Sequence, residues 1–187
     1  MANLFEGFGM TVEELAFHEY FMGLALREAE LSSETGEVPC GCVIVELPKD
    51  CLLPGVANPK RPRDPCFATV LAQAHNQTET LHDPTAHAEI LAIRAATKVR
   101  GDWRLTRTFI YVTKEPCPMC AGSLIWARPA GIVWGFGDPD RGGESAFGIL
   151  SDSRSNHRPF LLSGILEASC REQFIGFFRA RRKESRQ

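Results

Sequence analysis

The chain has 187 residues, 44% of them hydrophobic, and a formal net charge of −2. That is enough apolar material for one packed domain over 1–187 and too little length to expect two, so a core can form without disulfide staples. No apolar run approaches the roughly 20 residues a bilayer needs and no signal-like segment opens the chain, so neither a membrane-spanning nor a secreted protein is expected, and a reducing, cytoplasmic setting suits its seven cysteines.

Residues from about Thr11 to Leu31 read as an amphipathic helix, with Phe17, Phe21 and Leu24 on one side and glutamates elsewhere. Val38 to Leu47 and Ala68 to Ala74 are strand candidates. Between them, Pro48 to Pro65 holds five prolines, Gly55 and the basic cluster Lys60, Arg61 and Arg63. This stretch, at about 48–65, reads as a loop insertion, and loops of such length are functional or disordered. Cys51 and Cys66 lie in it or just beyond, too few ligands for a second metal. Gln77-Thr78-Glu79-Thr80 reads as loop. Asp83-Pro84-Thr85 predicts a helix start, with a short polar cap and an early proline ahead of Ile90, Leu91 and Ile93, so that His87 and Glu89 fall in the first turn.

Thr108 to Thr113 and Gly131 to Phe136 read as strands flanking a helix that begins near Pro118. Strand, helix, strand implies a parallel pair with a right-handed crossover. A strand at Phe160 to Leu162 and a basic C-terminal helix over about 165–184 complete an α/β layer structure with helices covering the sheet. The charge is uneven along the chain: residues 1–37 carry eight Glu against one Arg, while the tail from Arg171 carries six basic residues against two acidic. Phe174, Phe177 and Phe178 precede Arg179, Arg181, Arg182, Lys183 and Arg186. Aromatic faces beside guanidinium groups suit unstacked bases and phosphates. The same residues also suit an ordinary helix end, with cations complementing the dipole and phenylalanines in the core.

Two short motifs carry the chemistry. His87-Ala88-Glu89 and Pro116-Cys117-Pro118-Met119-Cys120 supply one imidazole, two thiols and a carboxylate. Catalytic zinc takes three protein ligands and keeps a fourth position open, and His with two Cys is one such set. His87, Cys117 and Cys120 are the expected Zn2+ ligands, one ion per chain. Cys117 and Cys120, three apart at a helix start, would lie on one side of its first turn. Glu89, two residues from a ligand, is the expected proton carrier. A Cys-x-x-Cys alone could equally be a redox pair or a structural half-site. Together with His-x-Glu it is the shared signature of the zinc nucleobase deaminases.

The chain resembles the bacterial-type tRNA-specific adenosine deaminases of the cytidine/deoxycytidylate deaminase superfamily. The similarity rests on Glu37-Val38-Pro39, on the stretches from His82 to Ile90 and from Glu115 to Gly122, on Asn156-His157-Arg158 and Gly164-Ile165-Leu166, and on the ending from Phe177 to Arg182. The resemblance implies a three-layer cytidine deaminase-like α/β fold with a central mixed five-stranded sheet covered by helices. It implies a homodimer that converts the wobble adenosine of a tRNA anticodon stem-loop, that of an arginine tRNA, to inosine. It further implies Glu89 as the catalytic residue, Asn76, Ala88, Pro116 and Asp138 as substrate-binding positions, and Phe178, Arg179, Arg181 and Arg182 as contacts to the anticodon loop. Asn76 and Asp138 also suit turns.

Two departures keep other readings open. The loop at about 48–65 lengthens the first hairpin, and Ile125-Trp126-Ala127-Arg128-Pro129 is similar to bacterial guanine deaminases. A free-base deaminase acting on guanine or cytosine is therefore the enzymatic alternative. A noncatalytic RNA-binding subunit with a structural zinc is the alternative from another class, and an intact Glu89 argues against it.

Overall fold

The computed structural model describes residues 10–48 and 68–184. The expected insertion, with Cys51, Cys66 and its basic cluster, falls almost wholly outside the described residues.

Helix α1 (Val12–Glu34) opens on a capping box: Thr11 Oγ1 accepts from the Glu14 amide, and the Glu14 carboxylate accepts from the Thr11 amide. Its buried face carries Phe17, Phe21, Met22, Ala25 and Ala29. Strand β1 (Gly41–Glu46) starts later than the apolar run from Val38 suggests, and β2 (Thr69–His75) lies beside it. Gly41 lies where α1 crosses the sheet; a Cβ there would fall 2.0 Å from the Ala25 carbonyl oxygen, a close approach that only glycine permits.

The stretch read as loop after Asn76 contains a short helix, α2 (Thr78–Leu81). Helix α3 spans Ala88–Arg100 and stops at Gly101 with φ +70°. Its start differs from the expected Asp83: the Asp83 carboxylate accepts from the Thr85 amide at 2.8 Å and the Thr85 hydroxyl at 2.7 Å. That capping chemistry closes a separate turn, and the helix begins one turn later with His87, at ψ 153°, as its N-cap. The remaining elements are β3 (Thr108–Lys114), α4 (Pro118–Ala127), β4 (Gly131–Phe136), β5 (Phe160–Ser163) and α5 (Glu167–Glu184).

The sheet order is β2-β1-β3-β4-β5, with β1 antiparallel to both neighbours and β3, β4 and β5 parallel. Every residue of β4 is buried, which is why it reads as an unbroken apolar run. On one face, Val43, Val45, Phe109, Tyr111 and Val133 meet Phe17 and Phe21 of α1 and Cys170 of α5. On the other, Ile44, Ile110, Val112 and Ile132 meet Ala88, Ala92 and Ala96 of α3 and Ala121 and Leu124 of α4. The alanine stripe lets α3 lie close to the strands that aim its first turn. This is the expected three-layer arrangement, and no described helix is long and apolar enough to cross a membrane.

One buried titratable group ties this core to pH. His18 on α1 is 7% exposed, with Nδ1 2.9 Å from the Tyr111 hydroxyl. Burial, opposed by Glu14, lowers its pKa to about 4, and burial also keeps Tyr111 protonated, so the hydroxyl donates to a neutral imidazole. Unfolded, His18 titrates near about 6.5. Between the two values the unfolded chain binds more protons. The contribution is therefore complete above about pH 6.5 and is lost as pH falls to about 4, by up to about 3 kcal/mol. We expect denaturant midpoints to fall across that window, and His18→Gln, which keeps an acceptor for Tyr111, to flatten the fall. Metal ligands titrate in both proteins, so the difference between the two pH curves is the readout; parallel curves would remove His18 from the account.

Candidate active site

His87 and Cys117 occupy equivalent places. Each is the extended N-cap of a helix, α3 and α4, with ψ of 153° and 168°, and neither side chain caps its own helix. An N-cap is ordinarily a short polar residue satisfying free amides. Here both positions hold soft metal donors, and both helix N-termini converge on one point. Pro118 at the start of α4 gives up no amide that the helix would use.

Cys120, one turn on, is fully buried. The ligand atoms of His87, Cys117 and Cys120 all lie within 4.8 Å of one another. His87 Nδ1 is 3.6 Å from Cys117 Sγ and 3.5 Å from Cys120 Sγ. Tetrahedral zinc, with bonds of about 2.3 Å to sulfur and 2.0–2.1 Å to nitrogen, sets that separation at about 3.6 Å. The three residues therefore fit zinc.

The electrostatics agree. The hydrogen bond from Cys120 pulls the Cys117 thiol down to about 4 against its burial, and His87 pulls in the same direction. Cys120, which shares that proton and is more deeply buried, is pushed up. The bond to Cys117 raises His87. A cation that takes both sulfurs as thiolates removes this competition for one proton. Beside them Glu89 is 5% exposed. Burial raises its pKa and the Cys117 charge adds to the rise, while its own backbone amide, His87 and Cys120 oppose it. A buried carboxyl with its pKa shifted upward is suited to carrying a proton.

These groups open into a cavity of about 280 Å³. Its walls come from Val38 and Cys40 ahead of β1, Asn76 and Thr78 after β2, Lys114 and Glu115 at the end of β3, Arg141, and Phe174 and Phe178 of α5. Of the positions expected to meet substrate, Asn76 lines the cavity, while Ala88 and Pro116 are buried behind it. Pro116 accepts from the Gly143 amide at 2.7 Å. Asp138 is not a wall residue. Its carboxylate pairs with Lys114, which burial opposes and which holds it below the usual carboxylate range. The cations lining the cavity are Lys114 and Arg141, residues the motifs did not single out. Of the four residues expected to meet the anticodon loop, Phe178 lines the cavity. Arg179, Arg181 and Arg182 are exposed further along α5, Arg181 over the Phe177 ring at 5.4 Å.

Glu115, which precedes the Pro116-Cys117 motif, organises one wall. It is 2% exposed; Oε1 accepts from the amides of Glu144 and Ser145, and Oε2 from the Asp138 amide and the Ser145 hydroxyl. A Cβ on Gly142 would fall 2.2 Å from Oε1. The segment that carries Asp138 and Arg141 is folded around this one carboxylate. His157 spends its ring nitrogen on the Pro129 carbonyl at 2.6 Å, anchoring its loop to the end of α4.

Comparisons with known proteins agree with the site. Residues 15–136 match the family described as the cytidine and deoxycytidylate deaminase zinc-binding region. The chain is 38% identical over 179 residues to a tRNA-specific adenosine deaminase of Bacillus subtilis, covering 95% of each protein. Among solved structures, one from work on A-to-I editing by tRNA:A34 deaminases matches 82% of this chain and 98% of its own, with TM-score 0.67 and 37% identity. A guanine deaminase from Bacillus subtilis matches 66% of each chain, with TM-score 0.50 and 34% identity.

Proposed function

This chain belongs to the cytidine and deoxycytidylate deaminase family, among the tRNA-specific adenosine deaminases, and on that premise we propose that it converts adenosine at the wobble position of a tRNA anticodon loop to inosine, releasing ammonia. The observation that carries the reading is the joining of two features in one cavity. His87, Cys117 and Glu89 line it, with Cys120 buried against the two ligands, and Phe178 of a helix that ends in cations lines it too. A cavity of about 280 Å³ holds a single base, and a wobble base in a single-stranded loop costs little to unstack.

Zinc, when held by the three ligands, supplies the Lewis acidity that makes water nucleophilic near neutral pH. Glu89 takes one proton from the water that attacks C6 and delivers it to N1, then takes the second proton from the resulting C6 hydroxyl and delivers it to the departing amine. The water oxygen remains on C6 and the amino group leaves as ammonia. Asn76 contacts the nucleoside, Ala88 and Pro116 bound it through backbone, and Asp138 acts beside the ribose through its pair with Lys114. The deciding experiment incubates zinc-loaded protein with an arginine tRNA anticodon stem-loop bearing wobble adenosine and, in parallel, with free guanine, cytosine and cytidine. Inosine in the stem-loop alone supports the reading. Turnover of guanine with an untouched stem-loop makes the protein a free-base deaminase, and binding of the stem-loop with no turnover makes it an RNA-binding subunit.

Phe178, Arg179, Arg181 and Arg182 would grip the anticodon loop. Replacing Arg181 and Arg182 together by alanine is expected to weaken stem-loop binding and to lower the slope of log K against log salt by about two, one per phosphate contact. An unchanged slope would leave the tail as ordinary surface.

The partner of the chain would be a second copy. Trp126, Trp103 and Met119 on and beside α4 are 66%, 49% and 36% exposed around a shallow groove, an apolar patch of the kind that marks an interface. Met119 lies between the two cysteine ligands in sequence, so that interface would adjoin the site. Trp126→Glu is expected to shift sedimentation from dimer to monomer; a wild-type chain that sediments as a monomer at micromolar concentration contradicts this.

A further inference from the structure

Asn76 and Glu37 form a buried polar pair whose chemistry settles which end of the Asn76 amide meets a ligand. Glu37, 1% exposed, sits between α1 and β1. Its Oε1 accepts from the Thr80 amide at 2.7 Å. Its Oε2 accepts from Asn76 Nδ2 at 2.9 Å and from the Thr78 hydroxyl at 3.3 Å. Burial pushes the Glu37 carboxyl up, but hydrogen bonds from the Thr80 and Glu79 backbone and from the Thr80 and Thr78 side chains outweigh it and hold the group below its usual value.

An ionised carboxylate only accepts, so the atom of Asn76 that faces Oε2 must be the amide nitrogen. The Thr78 hydroxyl spends its one proton on Glu37 and accepts the second Nδ2 proton, at 3.1 Å. Both Asn76 donors are consumed. The backbone is pinned as well: the Asn76 amide donates to the Cys40 carbonyl at 3.0 Å, and its carbonyl accepts from the Ser32 hydroxyl at 3.3 Å. What remains for the cavity that Asn76 lines is Oδ1, an acceptor.

We propose that Glu37 is a positioning residue that locks the Asn76 amide with its carbonyl toward the cavity, so that Asn76 selects a substrate by an N–H or O–H donor rather than by a ring nitrogen. On an adenosine the groups that satisfy this are the ribose hydroxyls and the exocyclic amine; N1, N3 and N7 are acceptors and gain nothing from Oδ1. Glu37 does not touch the substrate. It acts through Asn76, with the α2 turn held in place by the same carboxylate. This inference rests on the deaminase reading for its substrate but not for the orientation of the amide.

The test has two arms on zinc-loaded protein. In the first, the side-chain amide protons of Asn76 are followed by NMR, assigned by their loss in Asn76→Ala. Both should be protected from exchange in the wild type, with at least one shifted and exposed in Glu37→Gln. Free exchange in the wild type overturns the proposal whatever the enzyme acts on. In the second, kcat and KM on the stem-loop are measured for Glu37→Gln, Asn76→Ala and the double variant, with zinc content checked in each. Each single change should lower kcat/KM by about tenfold or more, as expected when an aligned buried hydrogen bond is lost. The double should be no worse than Asn76→Ala alone, because one residue acts through the other. Multiplicative losses overturn the proposal. A wild type inert toward the stem-loop overturns the tRNA reading instead, and the NMR arm still decides the role of Glu37.

Discussion

Glu89→Ala should retain about one zinc per chain and lose turnover, with kcat on the stem-loop down by about 10²- to 10⁴-fold. The two parts of that expectation come from different observations. Zinc would be held by His87, Cys117 and Cys120, whose ligand atoms converge without the carboxylate. Turnover needs a group that can accept a proton and return it, and Glu89, buried on the first turn of α3 with its pKa raised chiefly by that burial, is the carboxyl so placed. Removing it also relieves a desolvated acid, so the variant should melt no lower than wild type, as is common where a functional group is held at a cost in stability. Metal analysis, thermal melting and single-turnover rates on the same preparation separate the outcomes. Activity within a fewfold of wild type would remove Glu89 from the proton path, and loss of zinc would place it among the ligands.

The parts of the fold that could be read in advance are those where one local cause dominates. Strand β4 runs from Gly131 to Phe136 as its apolar run suggests, because burial on both faces writes a continuous signal. The clustering of His87, Cys117 and Cys120 was legible for a similar reason: His87 and Glu89 fall at one helix start, and the Pro118 start of α4 fixes where Cys117 and Cys120 lie. The start of α3 was misplaced because Asp83 makes the same bonds in an isolated turn that it would make as a cap. Helix α2 was missed because four residues carry no period, and its ordering comes from Glu37, some forty residues earlier in sequence, through the Thr80 amide. The cavity wall was least legible. Lys114 lies next to a recognised motif, but its pairing with Asp138 depends on the way Glu115 folds residues 138–145 back over the end of β3. Phe174, one of the aromatics that precede the basic run, lines the cavity with Phe178, one helical turn on, and their rings are 5.0 Å apart.

Cys117→Ala should abolish stoichiometric zinc, and with it a share of the folding free energy that Glu89→Ala leaves intact. The site would unite α3 and α4, two helices on one face of the sheet that share one core cluster through Ala92, Ala96, Ala121 and Leu124. A metal bound at a hundred times its Kd adds about 2.7 kcal/mol to the folded state, and a site reduced to two ligands forfeits that contribution. Chelation of the wild type should therefore lower its melting temperature toward that of Cys117→Ala, and added zinc should restore the wild type alone. The remaining thiol sharpens the contrast. Without Cys117, Cys120 no longer donates to a neighbouring thiolate, the bond that most strongly raises it, and sits as a buried neutral thiol that behaves as a small apolar group. The variant should consequently fold, unfold cooperatively at its lower temperature, and show no response to zinc up to concentrations that saturate the wild type. If instead Cys117→Ala binds one equivalent of zinc with undiminished stabilisation, the ion is held elsewhere, and the assignment of these N-cap residues as its ligands fails.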